Sequence, residues 1–103
     1  MTNQTFEKIV RDQLETCEKL LTAKGKEYSP YKDRLQAFKK AAALQGETPA
    51  QALCGMLAKH VVSVYDMCMS GNQFSMEKWD EKITDSINYL LLLAAVVREE
   101  NDE

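Results

Sequence analysis

Glycine and proline are scarce in this sequence, at 4 and 2 of 103 residues. That scarcity excludes a turn-rich all-β fold and a disordered chain. Cysteine is scarce too: Cys17, Cys54 and Cys68 are an odd number with no short spacing between them. This excludes a disulfide scaffold and reads as free thiols in a reducing compartment. Each lies on an apolar helical stripe and is expected to be a small buried hydrophobe. The longest apolar run, Tyr89 to Val97, is nine residues, whereas a membrane-spanning helix needs about 20. Met1 to Gln13 is polar and mixed in charge, which does not read as a signal peptide, so the cytoplasm is the expected location. Basic charge is not in excess: 13 Lys and Arg face 16 Asp and Glu, a net charge of −3. Long nucleic acid is thereby disfavoured as a partner. A nucleotide is not, because a metal ion offsets both sets of negative charge. There is no Gly-rich phosphate loop, no Cys/His metal pattern and no Ser/His/Asp constellation.

What is present is helical periodicity over one all-α domain of 103 residues, with a polar tail from about residue 99. A first helix is expected from Thr5 to Lys24, with Phe6, Ile9, Val10, Leu14, Cys17, Leu20 and Leu21 on one stripe; Gly25 marks its end, with a last turn to Glu27 as the alternative. Ser29-Pro30 then makes a turn that holds Tyr28 and Tyr31. A second helix, Asp33 to Gln45, turns Leu35, Phe38 and Ala42 inward and stops at Gly46. Thr48-Pro49-Ala50-Gln51 is a capping box, and it opens a third helix that runs to Ser70. Ser75 caps a fourth, which ends near Arg98 and carries Ile83, Ile87, Leu90, Leu91 and Ala94 on its stripe. From Tyr89 to Val97 that helix is apolar on all sides. Four helices in a chain this short cannot enclose one of their own members, so a second subunit is expected.

Chemistry concentrates in a few places. Glu81 and Asp85 are four apart, on one face of the fourth helix, and Asn88 and Tyr89 continue that side. Asp85 sits where the helix turns apolar, and an acid there needs a partner or a metal. Glu15 and Glu18 share a face of the first helix. Converging carboxylates suit Mg²⁺ or Mn²⁺ rather than zinc, although the same spacing also suits a solvated face. Lys59 has the apolar neighbours Ala58, Val61 and Val62, a setting in which a lysine wants a carboxylate or a phosphate. As a fixed partner for Asp85, Lys59 is the expected cation, and the adjacent His60 reads as structural. Lys24, Lys26, Lys32 and Arg34 surround Tyr28, Tyr31 and Phe38, where a phosphate could be held and a base stacked.

Cys17-Glu18-Lys19-Leu20-Leu21, then Lys24-Gly25-Lys26-Glu27-Tyr28-Ser29, Asp33-Arg34-Leu35 and Phe38 resemble the opening of the MazG-like family. The stretches Met56-Leu57-Ala58-Lys59-His60 and Glu81-Lys82-Ile83-Thr84-Asp85-Ser86-Ile87-Asn88-Tyr89-Leu90-Leu91 are similar to its phage and prophage branch associated with nucleotide modification. The resemblance spans Cys17 to Val97. It implies an oligomeric four-helix bundle that hydrolyses a (deoxy)nucleoside triphosphate to monophosphate and pyrophosphate with Mg²⁺ (or Mn²⁺). It further implies Glu18, Glu27, Glu81 and Asp85 as metal ligands, with Glu81 and Asp85 catalytic. Lys24, Arg34 and Lys59 would hold phosphate, and Tyr28, Asn88 and Tyr89 would meet the nucleoside. A homodimer or homotetramer is expected, in the host cytoplasm if the chain is phage-encoded. Better-known members carry adjacent glutamates where this chain has Glu81-Lys82. That difference keeps a second function open: a non-catalytic module that binds a nucleotide-like ligand or a partner protein, for example to interfere with a host pathway.

Overall fold

The computed structural model describes residues 1–28 and 33–101, with the side chains of 24–28 excepted. These residues form four helices: α1 (Asn3–Tyr28), α2 (Gln36–Gln45), α3 (Pro49–Met69) and α4 (Met76–Asn101). No strand occurs among them. None of the helices is long and apolar enough to cross a membrane.

The helix boundaries follow local chemistry. Thr2 Oγ1 accepts from the Thr5 amide at 3.1 Å, and α1 starts at Asn3, two residues earlier than the expected Thr5. The helix runs through Gly25 and ends at Tyr28. Glycine weakens a helix without breaking it, whereas Pro30 disfavours helical backbone at Ser29. The turn that the sequence places at 29–32 lies outside the described residues. Asp33 organises the entry to α2, its Oδ1 accepting from the Leu35 amide at 2.9 Å and its Oδ2 from Lys39 Nζ at 2.6 Å. Lys39 also pairs with Glu99 near the end of α4. Gly46 ends α2 at φ 67°, and the Glu47 amide closes back on the Ala42 carbonyl at 2.8 Å. The capping box forms as expected: Gln51 N donates to Thr48 Oγ1, and Thr48 N donates to Gln51 Oε1. Ser75 Oγ accepts from the Lys78 amide, while Phe74 packs edge-on against Trp79, stapling the start of α4.

Helix α3 packs on α4 and α2 on α3, while α1 packs mainly on α4. Leu35, Leu53 and Val96 form the core, with Phe38, Ala50, Met56, Tyr89, Leu92 and Leu93 against them. On α4 the buried row is Thr84, Asn88 and Val96, four or eight residues apart, with the half-buried Leu92 between them. This differs from the expected inward stripe. Leu90 and Leu91 are exposed, and Ile83 and Ile87 border an open apolar groove with Val61, Tyr65 and Cys68. Thr84 can enter the row because Gln13 Nε2 donates to its Oγ1 at 2.8 Å. Among the described side chains of α1 only Cys17 is buried, while Phe6 is 57% and Leu14 is 52% exposed. Cys54 and Cys68 are exposed too, against expectation; Cys68 lies on the open side of the groove between α3 and α4. The radius of gyration is 15.7 Å, well above the value of about 13 Å expected for a compact chain of this size.

The Asp33–Lys39 pair gives a pH signature. The Lys39 ammonium, and next the Leu35 amide, hold the Asp33 carboxyl below its ordinary range. A depressed folded-state pKa contributes stability above the unfolded value and loses it as pH falls through the folded one. Wild-type melting temperature should therefore fall as pH drops below about 4, and Asp33→Asn should flatten that limb. Acid melts followed by circular dichroism check this; parallel curves for the two proteins would refute it.

Candidate functional site

The site grows from the point where α4 changes from polar to apolar. Along one side of α4 stand Asp85, Asn88, Tyr89 and Leu92, and the start of α2 brings up Arg34, Ala37 and Phe38. With Leu21 of α1 these residues enclose a cavity of about 320 Å³, within the size range of small-molecule sites. Arg34 is half-buried and held at the rim, its Nη2 donating to the Leu21 carbonyl at 3.4 Å. Phe38 and Tyr89 supply aromatic faces. Asn88 is 7% exposed, and its Oδ1 has no hydrogen-bond partner among the described residues.

A second cavity of about 500 Å³ lies on the other side of Tyr89, lined by Gln45, Glu47, Ala52, Gly55, Met56, Lys59 and His60. The wall between the two is a stack: the His60 and Tyr89 rings lie 4.8 Å apart at 27°. His60 Nδ1 stands 3.9 Å from Asp85 Oδ2. That is too long for a hydrogen bond but close enough for a charge to be felt. Both side chains are about three-quarters buried, at 26% and 23% exposure.

Four of the residues singled out in the sequence therefore meet in one cavity: Arg34, Asp85, Asn88 and Tyr89. Lys59 reaches the second cavity and is exposed. It does not face Asp85; His60, the next residue, takes that place. One step along a helix turns a side chain by about 100°, and this puts His60 toward α4 and Lys59 toward solvent. Glu18 and Glu81 are exposed, on α1 and α4. Lys24, Glu27 and Tyr28 belong to α1, but their side chains lie outside those described. Among the described residues no group of three or more His, Cys, Asp and Glu stands together as a metal site. Glu81 and Asp85, one turn apart on α4, are nevertheless a donor set that fits Mg²⁺, which takes one or two carboxylates alongside water and substrate phosphates.

His60 is the residue that sequence reasoning placed in the scaffold and the structure places between the two cavities. A signal was available: Met56, His60, Val64 and Met67 fall on one helical face, and that face is where α4 packs. The chain matches no family model, no curated protein and no solved structure.

Proposed function

We propose that this chain is a Mg²⁺-dependent nucleotide pyrophosphohydrolase, which splits a (deoxy)nucleoside triphosphate into monophosphate and pyrophosphate in phage or prophage nucleotide metabolism. The observation that carries this reading is the meeting of Arg34, Asp85, Asn88 and Tyr89 beside Phe38 in one cavity. The resemblance of the same stretches to the MazG-like family supports it. A guanidinium, an amide, two aromatic faces and a half-buried carboxylate are what a nucleoside phosphate would engage. In this reading Arg34 pairs with phosphate oxygens, and Lys24 and Lys59 extend that charge. Phe38 and Tyr89 face the base, with Tyr28 and Asn88 at the sugar or base. Glu81 and Asp85 hold Mg²⁺, and Glu18 and Glu27 are further donors. Mg²⁺ held by these carboxylates would supply charge neutralisation at the phosphates and a more acidic bound water. Water adds to the α phosphorus, the bond to the α–β bridging oxygen breaks, and pyrophosphate leaves. The His60–Tyr89 stack fixes the wall against which the ligand is oriented.

Lys82, half-buried next to Glu81, favours a second reading. A lysine beside the acidic pair opposes metal charge, and the same cavity would then bind a nucleotide-like ligand, or a partner protein, without turnover.

The proposal includes a homodimer or homotetramer. Phe6, Ile9, Val10 and Leu14 of α1 and Leu90, Leu91 and Val97 of α4 are exposed. Apolar faces of that extent are normally covered. Light scattering at micromolar concentration should give a multiple of 11.7 kDa; the monomer mass itself would refute the assembly.

The functional test is a screen of the common ribo- and deoxyribonucleoside triphosphates with Mg²⁺, scored by pyrophosphate release. Release from at least one of them is expected. Thermal stabilisation by a nucleotide without release would select the second reading, and neither response would contradict both. Asp85→Asn should abolish release and any Mg²⁺-dependent gain in melting temperature while leaving the metal-free protein as stable as before, or more so. A metal-free loss as large as that from breaking a buried ion pair, about 3–5 kcal/mol, would make Asp85 a scaffold residue paired with His60.

A further inference from the structure

Helix α3 has a face that no described residue covers. Cys54, Ala58, Val61, Val62, Tyr65 and Met69 recur along it at helical spacing. All six are exposed, Tyr65 by 63% and Met69 by 68%. The outward face of a surface helix is normally polar, so the single chain gives this stripe no role. Its two ends differ: Cys54 and Ala58 are small, whereas Tyr65 and Met69 are large. Its positions are nevertheless symmetric, because 54 and 69, 58 and 65, and 61 and 62 lie equally far from the middle. Gly55 adds to the small end. Glycine inside a helix costs stability, and a Cβ there would meet nothing within 4 Å in the chain itself. Lys59 and Asp66 stand on one flank of the stripe, both exposed, and neither makes an ion pair among the described residues. They are two turns apart, whereas pairs on one helix form at three or four residues.

We infer that this face binds the same face of a second copy, with the two α3 helices antiparallel about a two-fold axis between Val61 and Val62. This rests on the proposed assembly and not on the nucleotide chemistry. Shape and charge choose the occupant. Antiparallel pairing sets Tyr65 on the partner's Ala58 and Met69 on the partner's Cys54, large on small. Parallel pairing would set large on large at one end and leave a void at the other, against the close packing of such contacts. A two-fold axis makes each contact reciprocal and carries the charged flank onto itself. Lys59 then comes beside the partner's Asp66, and Asp66 beside the partner's Lys59. Exposed pairs of this kind add little affinity but fix register and orientation. Val61, Tyr65 and Cys68 also form one wall of the apolar groove whose other wall is Ile83, Ile87 and Leu90 of α4. The patch is thus wider than one helix, as an interface that buries about 800 Å² on each partner requires.

The test uses the full chain with its own thiols. A bis-maleimide with a two-carbon spacer is added at micromolar protein, and the cross-linked species is mapped by mass spectrometry. Cys17 is 1% exposed and stays out of the reaction. Cys54 and Cys68 are about 21 Å apart along one helix, beyond the reach of the spacer, so a link between them joins two chains. Links from Cys54 to Cys68 should outnumber Cys54–Cys54 and Cys68–Cys68 links. The reverse would overturn the antiparallel pairing, and no link between chains would overturn the interface. Val61→Glu places an acid at the axis and should halve the mass of the assembly in light scattering, with its helical circular dichroism kept. An unchanged mass would move the interface to another face, such as the α1 stripe, and sink the inference while the assembly stands. Asp66→Lys should weaken self-association about tenfold, and adding Lys59→Asp should restore it. A double variant as weak as the single one would also overturn the pairing, whatever Val61→Glu does to folding. A wild-type monomer would refute the inference together with the assembly.

Discussion

Helix α4 has to bury a row that is polar at one end and apolar at the other, and the rest of the structure is arranged around that constraint. It packs on both α1 and α3. At its apolar end Leu92, Leu93 and Val96 close the core on Leu35 and Leu53. At its polar end Thr84 is accommodated only because Gln13 reaches it across the α1–α4 contact. Between the two ends lie Asp85, Asn88 and Tyr89, too polar to be filled by leucine side chains, and a cavity remains there. Polar groups in such a place interact more strongly than in water, and cost more when unpaired. The site is thus a consequence of how α4 is buried.

Punctuation was legible in the sequence because it is local. Thr48-Pro49-Ala50-Gln51, Gly46 and Ser75 act through hydrogen bonds to residues within four positions, so their residue types suffice to locate the end of α2 and the starts of α3 and α4, whereas α2 begins at Gln36 rather than Asp33 and α4 runs to Asn101 rather than Arg98. A glycine ends a helix only where the backbone turns left-handed, so α1 runs past Gly25 to Tyr28, one residue beyond the furthest end expected. The inward face of α4 was not legible. A stripe chosen by apolarity selects Ile83, Ile87, Leu90 and Leu91, whereas the packed row contains Thr84 and Asn88. Only the partner Gln13, 71 residues away, makes burial of Thr84 affordable. Cys54 and Cys68 were misplaced for the related reason that a helix can be apolar on a face that no described neighbour covers.

Residue type singled out Asp85, an acid in a stretch turning apolar, and Arg34 beside aromatics, while helical spacing added Asn88 and Tyr89; the four line one cavity. It did not reveal which of the adjacent Lys59 and His60 faces Asp85, since that depends on the rotation of α3 against α4. The His60–Tyr89 stack follows from the same rotation. Tyr89 lines both cavities.

The most direct measurement is a crystal structure of the chain grown with Mg²⁺ and an α,β-imido deoxynucleoside triphosphate. The central claim is that the cavity between α2 and α4 is the nucleotide site. The nucleoside should then lie between Phe38 and Tyr89, with Arg34 on a phosphate and Asp85 turned from His60 toward the ion. Nucleotide bound at any other surface, with this cavity empty and Asp85 still facing His60, would contradict it.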